Sequence, residues 1–594
     1  MSQLTLQQAS SLALQHYQAR RLPEAEQLCR QILQQQPRQT GAIQLLGLIA
    51  HQQGRNDQAM DLLRQAIAVD PVSPDAHYNL GVVLKGSGQL DAAIAAYRQA
   101  IFLRPDYAAA HNNLGIALHE RGQPEEAVAS FRRAIALRPR YAQGHCNLAD
   151  ALQRIGRVDD AIAAYQRAIS LEPRYAQAHN NLGNALKDKG QFDDAITAYR
   201  AAIRLQPDDA ELHSNLGNAL ADKGQLEEAI AAHRRAIAVH PNSAEFHGNL
   251  ALALLLSRRF QDGWREYEWR WRSHKAAIPS RNFDQPSWDG APLETRTILI
   301  HEDQGFGDAI QFVRYLPMLA QRGGSVIFQC RSELVRLMHC VNGMDRLRIV
   351  ARDKLHESSL PPFDVHASLM SLPLLLDMPE PTEELVRPPY IRVEDDLNAA
   401  WRQRIGRFEH LKVGLAWAGS PLHPSDARRS IAPAALAPLL RCGADVYSLQ
   451  FGPERFQLTP VAFWSKPRMY IRGSAQLGGY TPSEDALAPR QDVDGSALID
   501  LTAHCSDFLD TAGLISLLDL VVSVDTAVAH LAGAMGTPTW LMVPYAPDWR
   551  WQLSRDDSPW YPSIKIFRQL RIGDWDEVIA RVAQSLRLQV KAGR

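Results

Sequence analysis

The sequence lacks the features that mark several specialised classes of protein. It has six cysteines in 594 residues and no CxxC pair, which argues against a disulfide framework or a cysteine zinc site and indicates reduced, cytoplasmic thiols. No apolar run approaches the roughly 20 residues of a membrane span, and the N-terminus lacks a secretory signal pattern. Lysine plus arginine (64) balances aspartate plus glutamate (65), which excludes a generally basic nucleic-acid binder. We therefore expect a cytoplasmic globular protein with no membrane span and no nucleic-acid partner.

What the first half does contain is a repeat. Proline recurs every 34 residues, at Pro37, Pro71, Pro105, Pro139, Pro173, Pro207 and Pro241. Thirty-four residues is the period of the tetratricopeptide repeat (TPR), a pair of helices. In one unit we predict helix A over Ala76–Leu84, a turn at Gly88, and helix B over Asp91–Leu103. The pattern predicts an α-solenoid over residues 1–277.

Seven repeats begin near residues 6, 40, 74, 108, 142, 176 and 210, and a divergent eighth begins near 244. The second helix of the eighth reads GWREYEWRW (Gly263–Trp271). Terminal repeats cap such a stack and are atypical. An aromatic cap is expected to dock on the next domain instead of facing water.

Two polar columns follow helix A of the repeats. The asparagine column could bind the backbone of a protein acceptor in the groove, or it could satisfy local backbone groups. Its members are Asn79, Asn113, Asn147, Asn181, Asn215 and Asn249. We interpret the histidine column two residues earlier as packing and polar satisfaction. Its members are His77, His111, His145, His179, His213 and His247.

The second half alternates strands with helices, which predicts parallel sheets. After a linker at 278–296 we expect one lobe over 297–395, with a helix over Ala309–Ala320 and a strand over Phe363–Val365. A second lobe spans 396–594 and closes with a helix at 575–588. Residues 457–495 are rich in proline and glycine and are interpreted as an irregular insertion. Two such lobes place a ligand cleft at the carboxyl ends of their strands.

Three segments carry candidate chemistry. In HEDQGFGD, Gly305 and Gly307 permit close backbone approach, and Asp308 is either a helix N-cap or a general base. The loop WAGSPLHPSDARRS offers hydroxyls and guanidinium groups that suit phosphate oxygens, unless it is a solvated loop with an Arg–Asp pair. Its candidate residues are Ser420, His423, Arg428, Arg429 and Ser430.

The third segment, SVDTAVAHLAGAMGTP, turns from an apolar strand directly into a helix. Its helix start presents free amides that suit a phosphate, with Asp525 capping or contacting a sugar. The candidates are Asp525, Thr526, Ala527 and His530, and the alternative is that Asp525 and Thr526 are only caps. No HxH or HExxH pattern appears in either lobe, so we expect no metal and no cofactor.

Two resemblances follow from these motifs. The HNNLG steps, such as His179–Gly183, resemble the arm of O-linked N-acetylglucosamine transferases, in which an asparagine column holds protein substrates. GFGD (305–308) and DTAVAHLAGAMGTP (525–538) resemble motifs of heptosyltransferase-like glycosyltransferases, which have the two-lobed GT-B fold. This resemblance implies Asp308 as the base. It also implies that Asp525, Thr526, Ala527 and the 428–430 segment lie near the donor phosphate.

The order of the motifs, ending with DWRW (Asp548–Trp551), resembles bacterial repeat-armed glycosyltransferases, some of which modify flagellin with nonulosonic acids such as pseudaminic acid. The resemblance implies an α-solenoid followed by an α/β GT-B enzyme. The enzyme would transfer sugar from a nucleotide-sugar donor to Ser or Thr of a protein acceptor, and the acceptor suggested is flagellin. Two alternatives stay open: a non-catalytic scaffold with a degenerate enzyme-like domain, and a transferase acting on a lipid or polysaccharide.

Overall fold

The computed structural model describes residues 5–272, 283–352, 360–405, 410–421, 423, 426–451 and 498–593. The predicted insertion at 457–495 lies outside the described residues. The chain divides into two compact units, Met1–Leu216 and Gly217–Arg594. This boundary falls within the seventh repeat, so the last repeat belongs to the same compact unit as the α/β region.

The first unit consists of antiparallel helix pairs that begin at the predicted positions. Its helices are α1 (Leu6–Gln18), α2 (Leu22–Gln35), α3 (Thr40–Gln52), α4 (Asn56–Val69), α5 (Pro74–Gly86), α6 (Leu90–Leu103), α7 (Ala108–Glu120), α8 (Pro124–Leu137), α9 (Ala142–Arg154), α10 (Val158–Leu171), α11 (Ala176–Asp188), α12 (Phe192–Leu205) and α13 (Ala210–Lys223), the last of which crosses the unit boundary. The 34-residue pattern is therefore confirmed as helix pairs.

Glycine and an aromatic ring set the distance between the two helices of a pair. Gly88 has φ +75° in the turn, a conformation that glycine adopts without strain. Within α5, a Cβ on Gly81 would lie 2.6 Å from the ring of Tyr97 on α6. Tyr97 is fully buried. Tyr97 therefore fills the space between the two helices of this pair.

The histidine column has a uniform structural role. In all six repeats the Nε2 atom lies 2.8–3.2 Å from the carbonyl oxygen of the proline six residues earlier. A carbonyl only accepts, so each Nε2 carries a proton and donates it. The bond ties the start of helix A to the loop before it, which confirms polar satisfaction as the role of this column.

The second unit continues with helices and two sheets. Its helices are α14 (Leu226–Val239), α15 (Ala244–Leu256), α16 (Phe260–Tyr267), α17 (Phe306–Phe312), α18 (Leu316–Ala320), α19 (Ser332–Met338), α20 (Leu372–Leu375), α21 (Glu383–Val386), α22 (Asp395–Ile405), α23 (Asp426–Arg429), α24 (Ala437–Leu440), α25 (Phe508–Ile515), α26 (Ala527–Met535) and α27 (Trp575–Lys591). None of the helices in the described ranges is both long enough and apolar enough to cross a membrane.

Both sheets are parallel throughout, as predicted. The strands are β1 (Glu294–His301), β2 (Gly323–Arg331), β3 (Arg348–Arg352), β4 (Val365–Ser368), β5 (Lys412–Ala416), β6 (Asp445–Ser448), β7 (Leu498–Ile499), β8 (Leu520–Val524), β9 (Thr539–Val543) and β10 (Ile564–Arg568). The order is β3-β2-β1-β4 in the first sheet and β10-β9-β8-β5-β6-β7 in the second. The central strands β1 and β8 end in buried residues, which fits sheets covered on both faces.

Two predicted elements differ from the structure. The single helix expected over Ala309–Ala320 is instead α17, a 3-10 turn (Val313–Tyr315) and α18. Pro317 lacks the N–H that would continue one hydrogen-bond ladder through this region. The strand expected over Phe363–Val365 begins only at Val365, where pairing with β1 starts at Ile298.

The aromatic cap docks on the α/β region of the same unit, which confirms the expectation. Trp264 of α16 is buried, and its ring makes T-shaped contacts with Phe312 at 5.5 Å and Trp549 at 5.4 Å between centroids. Its indole N–H donates to the carbonyl of Pro379 at 3.0 Å. A Trp with an apolar body and one satisfied donor suits such a junction.

Candidate functional site

The candidate site lies where the first turns of α17 and α26 meet. Each helix follows the carboxyl end of a central parallel strand, β1 or β8, which is where α/β proteins bind ligands. Gly307 lies directly against His530, and a Cβ on this glycine would be 2.6 Å from the imidazole Cδ2. The backbone of Gly307 therefore packs closely on the side chain of His530 in α26.

Asp308 is the third residue of α17 and not its N-cap, which is Gly305. Its Oδ2 accepts from the Gly305 N–H at 2.8 Å, so the carboxylate still satisfies one amide of the helix start. Its Oδ1 accepts a hydrogen bond from Nη2 of Arg550. The side chain is 25% exposed. Asp308 thus combines local capping with an ion pair to a residue 242 positions away.

Arg550 is the central cation of the site, and the sequence analysis did not single it out. Its Nε donates to Oε1 of Gln311 at 2.5 Å, its Nη1 to Oδ1 of Asp548 at 2.9 Å, and its Nη2 to Asp308. The side chain is 9% exposed. The sequence does offer a reason to consider Arg550. The charged pair Asp548 and Arg550 of DWRW follows strand β9, and the other candidate loops also follow strands.

The segment after β8 supplies a second carboxylate and a histidine. Thr526 is the N-cap residue of α26, but its hydroxyl lies 3.2 Å from Oγ of Ser523 and makes no capping bond to the helix amides. The side chain of Thr526 therefore satisfies none of the first amides of α26. His530 Nδ1 lies 2.9 Å from the Tyr561 hydroxyl, and its Nε2 is 3.9 Å from Oδ1 of Asp525.

Burial shifts the proton equilibria of these two groups in opposite directions. The pKa of Asp525 is raised to about 6, mainly by burial and also by the nearby Asp548 carboxylate, while the charges of Arg429 and Arg550 oppose the rise. Burial also lowers the pKa of His530 well below its usual value, with Arg550 adding to the effect. His530 is therefore neutral at pH 7, and Asp525 takes up a proton in mildly acidic solution.

The loop after β5 contributes Arg429 and His423 to the same cluster. The Arg429 guanidinium packs on Gly419, and a Cβ on this glycine would lie 2.5 Å from Nη2 of Arg429. Nε of Arg429 lies 3.5 Å from Oδ1 of Asp426. Burial lowers the pKa of His423, Arg429 lowers it further, and Asp548 and Asp308 oppose that shift. The loop is therefore within electrostatic range of Asp308 and Asp548.

The other candidates of this loop have different roles. Ser430 accepts from the Gly419 N–H at 3.0 Å and donates to Asp426 at 2.8 Å, so it shapes the loop. The carbonyl of Ser420 accepts from the His423 N–H at 2.9 Å, and its side chain is exposed. Arg428 is 55% exposed and pairs with Asp222 at 3.8 Å. The structure therefore separates Arg428 from Arg429 although the two are adjacent in sequence.

The cap also reaches the loop that follows β1. Nε of Arg270 donates to Asp303 at 3.2 Å, and its Nη2 donates to Ser371 at 2.9 Å. Burial raises the pKa of Asp303, although the Arg270 charge opposes that shift. The cap arginine thus fixes the HED segment that precedes Asp308. In the part of the chain that the structure describes, no group of three or more His, Cys, Asp and Glu side chains is placed to hold a metal ion.

The asparagine column bridges neighbouring repeats in the first unit. The amide nitrogens of Asn147 and Asn215 donate at 3.0 Å to the asparagine side chains 35 residues earlier, and that of Asn113 donates to Tyr78 at 3.0 Å. Asn181 donates to Asp150 at 3.0 Å, and Asn79 lies 3.4 Å from Gln44. Asn249, in the second unit, is half-buried on α15. The column is half-buried and uses one donor of each described amide within the protein.

Comparison with known proteins supports the repeat region. The family model of the cilia and flagella-associated protein 70 C-terminal domain matches residues 72–261, and a TPR repeat model matches residues 47–88. Protein FlbA of Caulobacter vibrioides is 26% identical over 356 residues, which is 56% of this chain and 53% of FlbA. This chain therefore spans about half the length of that relative.

Two solved structures are similar to parts of the chain. MamA is 29% identical over 28% of this chain and 97% of its own, with a TM-score of 0.27. YrrB, a TPR protein with an unusual peptide-binding site, is 23% identical over 30% of this chain and 92% of its own, with a TM-score of 0.27. The family models show tetratricopeptide repeats in this chain, and Protein FlbA is a distant relative.

Proposed function

We propose that this protein is a glycosyltransferase of the GT-B type that modifies a protein acceptor. The observation that supports the proposal is the convergence of one acidic and one basic set of side chains at the start of α26. Asp308 comes from the first lobe, and Arg429, Asp525 and Arg550 come from the second. Sugar transfer from a nucleotide sugar requires a base for the acceptor hydroxyl and hydrogen-bond donors for the leaving phosphate, close together in one site.

In the proposed reaction, Asp308 accepts the proton of a Ser or Thr hydroxyl as the hydroxyl oxygen attacks the anomeric carbon. The bond from that carbon to the phosphate oxygen breaks, and the nucleotide leaves with its phosphates. Arg429 and the first amides of α26 stabilise the negative charge of the leaving phosphate. The TPR repeats hold the acceptor chain. Flagellin as acceptor and a nonulosonic acid such as pseudaminic acid as sugar are the specific forms of this proposal.

A nucleotide titration tests the donor site, and adjacent arginines provide a matched control. The full-length protein is titrated calorimetrically with CMP, UDP, GDP, ADP and dTDP. We expect one of them to bind, Arg429→Ala to abolish binding, and Arg428→Ala to retain it, because Arg428 pairs with Asp222 instead. No binding of any nucleotide would favour a non-catalytic scaffold.

A transfer assay then tests the chemistry. The nucleotide sugar corresponding to the bound nucleotide is labelled in the sugar and incubated with the enzyme and flagellin. Label on flagellin at Ser or Thr is expected, and Asp308→Asn should slow transfer about 10²- to 10⁴-fold because the base is lost. Label found only in the lipid extract would indicate a lipid acceptor instead of a protein. Full turnover by Asp308→Asn would show that Asp308 is not the base.

A further inference from the structure

The hydrogen bonds of Asp308 leave little room for its proposed role as a base. Oδ2 accepts from the Gly305 N–H and Oδ1 accepts from Arg550, so both carboxylate oxygens already have a donor. Each carboxylate oxygen can accept a second hydrogen bond, but an oxygen that is bonded to a guanidinium is a weaker base toward an incoming hydroxyl. Of the two donors, the Gly305 amide is part of the start of α17, whereas Arg550 belongs to the other lobe. Arg550 is therefore the donor that can be withdrawn.

Arg550 has unused capacity for an anion. A guanidinium has five N–H donors, and the described residues receive three of them, through Gln311, Asp548 and Asp308. Its charge also acts on Asp525, which lies two residues before α26. The next residue, Trp551, lies 5.4 Å between ring centroids from His530 of α26, so Arg550 bonds the Asp308 carboxylate close to that helix. Phosphate is a strong partner for a guanidinium because paired N–H donors match its oxygens.

We propose that Arg550 is shared between Asp308 and the donor phosphate. Before a donor binds, it occupies Oδ1 of Asp308, and when the phosphate of a nucleotide sugar arrives it turns its Nη2 donor to that phosphate. Oδ1 of Asp308 then becomes accessible to the acceptor hydroxyl. Donor binding thereby uncovers the base. This inference rests on the proposed glycosyltransferase function and names Arg550 as a positioning residue for it.

The sharing has a thermodynamic consequence that can be measured without a sugar. If the Asp308 carboxylate and a phosphate compete for one cation, removing the carboxylate charge strengthens phosphate binding. Asp308→Asn keeps the size of the side chain and an oxygen for the Gly305 amide. Inorganic pyrophosphate is the probe, since it presents the phosphate chemistry common to nucleoside diphosphates. Asp557→Asn is the control. Asp557 is an exposed carboxylate that pairs with Arg555, so this substitution removes the same negative charge at a position away from Asp308 and Arg550.

We expect Asp308→Asn to bind pyrophosphate about three- to tenfold more tightly than the wild type, and Asp557→Asn to bind it equally. Arg550→Gln should lose at least tenfold in affinity, and Asp308→Asn combined with Arg550→Gln should bind no more tightly than Arg550→Gln alone. Because Arg550→Gln leaves two carboxylates without their cation, Arg550→Lys is measured beside it, with circular dichroism to verify folding. Equal or weaker binding by Asp308→Asn, or no pyrophosphate binding by the wild type, would overturn the inference.

The transfer assay separates this inference from the proposed function. If Asp308→Asn binds pyrophosphate more tightly and no sugar is transferred, the shared arginine is supported and the proposed function fails. If sugar is transferred to protein while Asp308→Asn binds pyrophosphate no more tightly, the function stands and the shared arginine is overturned.

Discussion

Acidification from pH 7 to pH 5 should destabilise the second unit through one buried histidine. His233 on α14 is 1% exposed, and its Nδ1 is buried without a hydrogen-bond partner among the described residues. The ring fills the space against Gly217, where a Cβ would lie 2.5 Å from Cε1. Equivalent positions of other repeats carry Phe131 or Tyr199. Burial lowers the pKa of His233 to about 4, since a charged imidazole would be desolvated there.

The direction and size of this change in unfolding free energy follow from the linkage between proton binding and folding. The unfolded chain holds its His at an ordinary pKa of about 6.5, so between pH 6.5 and 4 the unfolded state binds more protons. The stability due to neutral His233 is complete above about pH 6.5 and is lost as the pH falls toward about 4. With 1.36 kcal/mol per pKa unit, the loss between pH 7 and pH 5 is about 2 kcal/mol.

Hydrogen exchange of α14 amides in the full-length protein measures this loss, because a chain with two units need not unfold in one step. Two kcal/mol corresponds to a fall in protection of roughly 30-fold. His233→Phe places the residue of an equivalent repeat in the same space and should show little of this fall. If wild type and His233→Phe lose equal protection between pH 7 and pH 5, the argument from His233 is wrong.

Three further predictions concern packing and hydrogen bonds, and each loss of stability is measured by hydrogen exchange of the amides around the changed residue. Trp264→Ala removes a side chain that is 1% exposed and should cost about 3–5 kcal/mol. Trp271→Ala, 38% exposed in the same cap, should cost about 1 kcal/mol or less, and equal costs would refute docking by Trp264. Arg314→Met removes a bond to the Trp560 carbonyl at 3.0 Å and should cost about 3 kcal/mol; a neutral change would contradict a structural role. His179→Ala removes a bond to a proline carbonyl and should cost about 0.5–1.5 kcal/mol, whereas no loss would make that bond incidental.

The sequence by itself determined the elements whose causes are local. A proline every 34 residues ends each helix pair, a glycine such as Gly88 takes the positive φ of the turn, and the spacing then dictates every repeat start. The alternation of apolar strands with helices likewise predicted two parallel sheets. Strands and helices are recognised by the spacing of apolar residues, which is a property of neighbouring residues. Asp308, Arg429, Asp525 and His530 were identifiable as candidates since each follows a strand end.

Only the tertiary structure decided which of these side chains meet. Asp308 and Arg550 are 242 residues apart, so no local pattern in the sequence indicates that they pair. Arg428 and Arg429 have the same chemistry and adjacent positions, yet one is exposed beside Asp222 and the other packs on Gly419. The pKa of Asp525 depends on burial and on charges from two other loops, Arg429 after β5 and Asp548 and Arg550 after β9. Desolvation and contact are properties of the packed chain, and so the arrangement of this candidate site emerges only when both sheets and their loops are folded together.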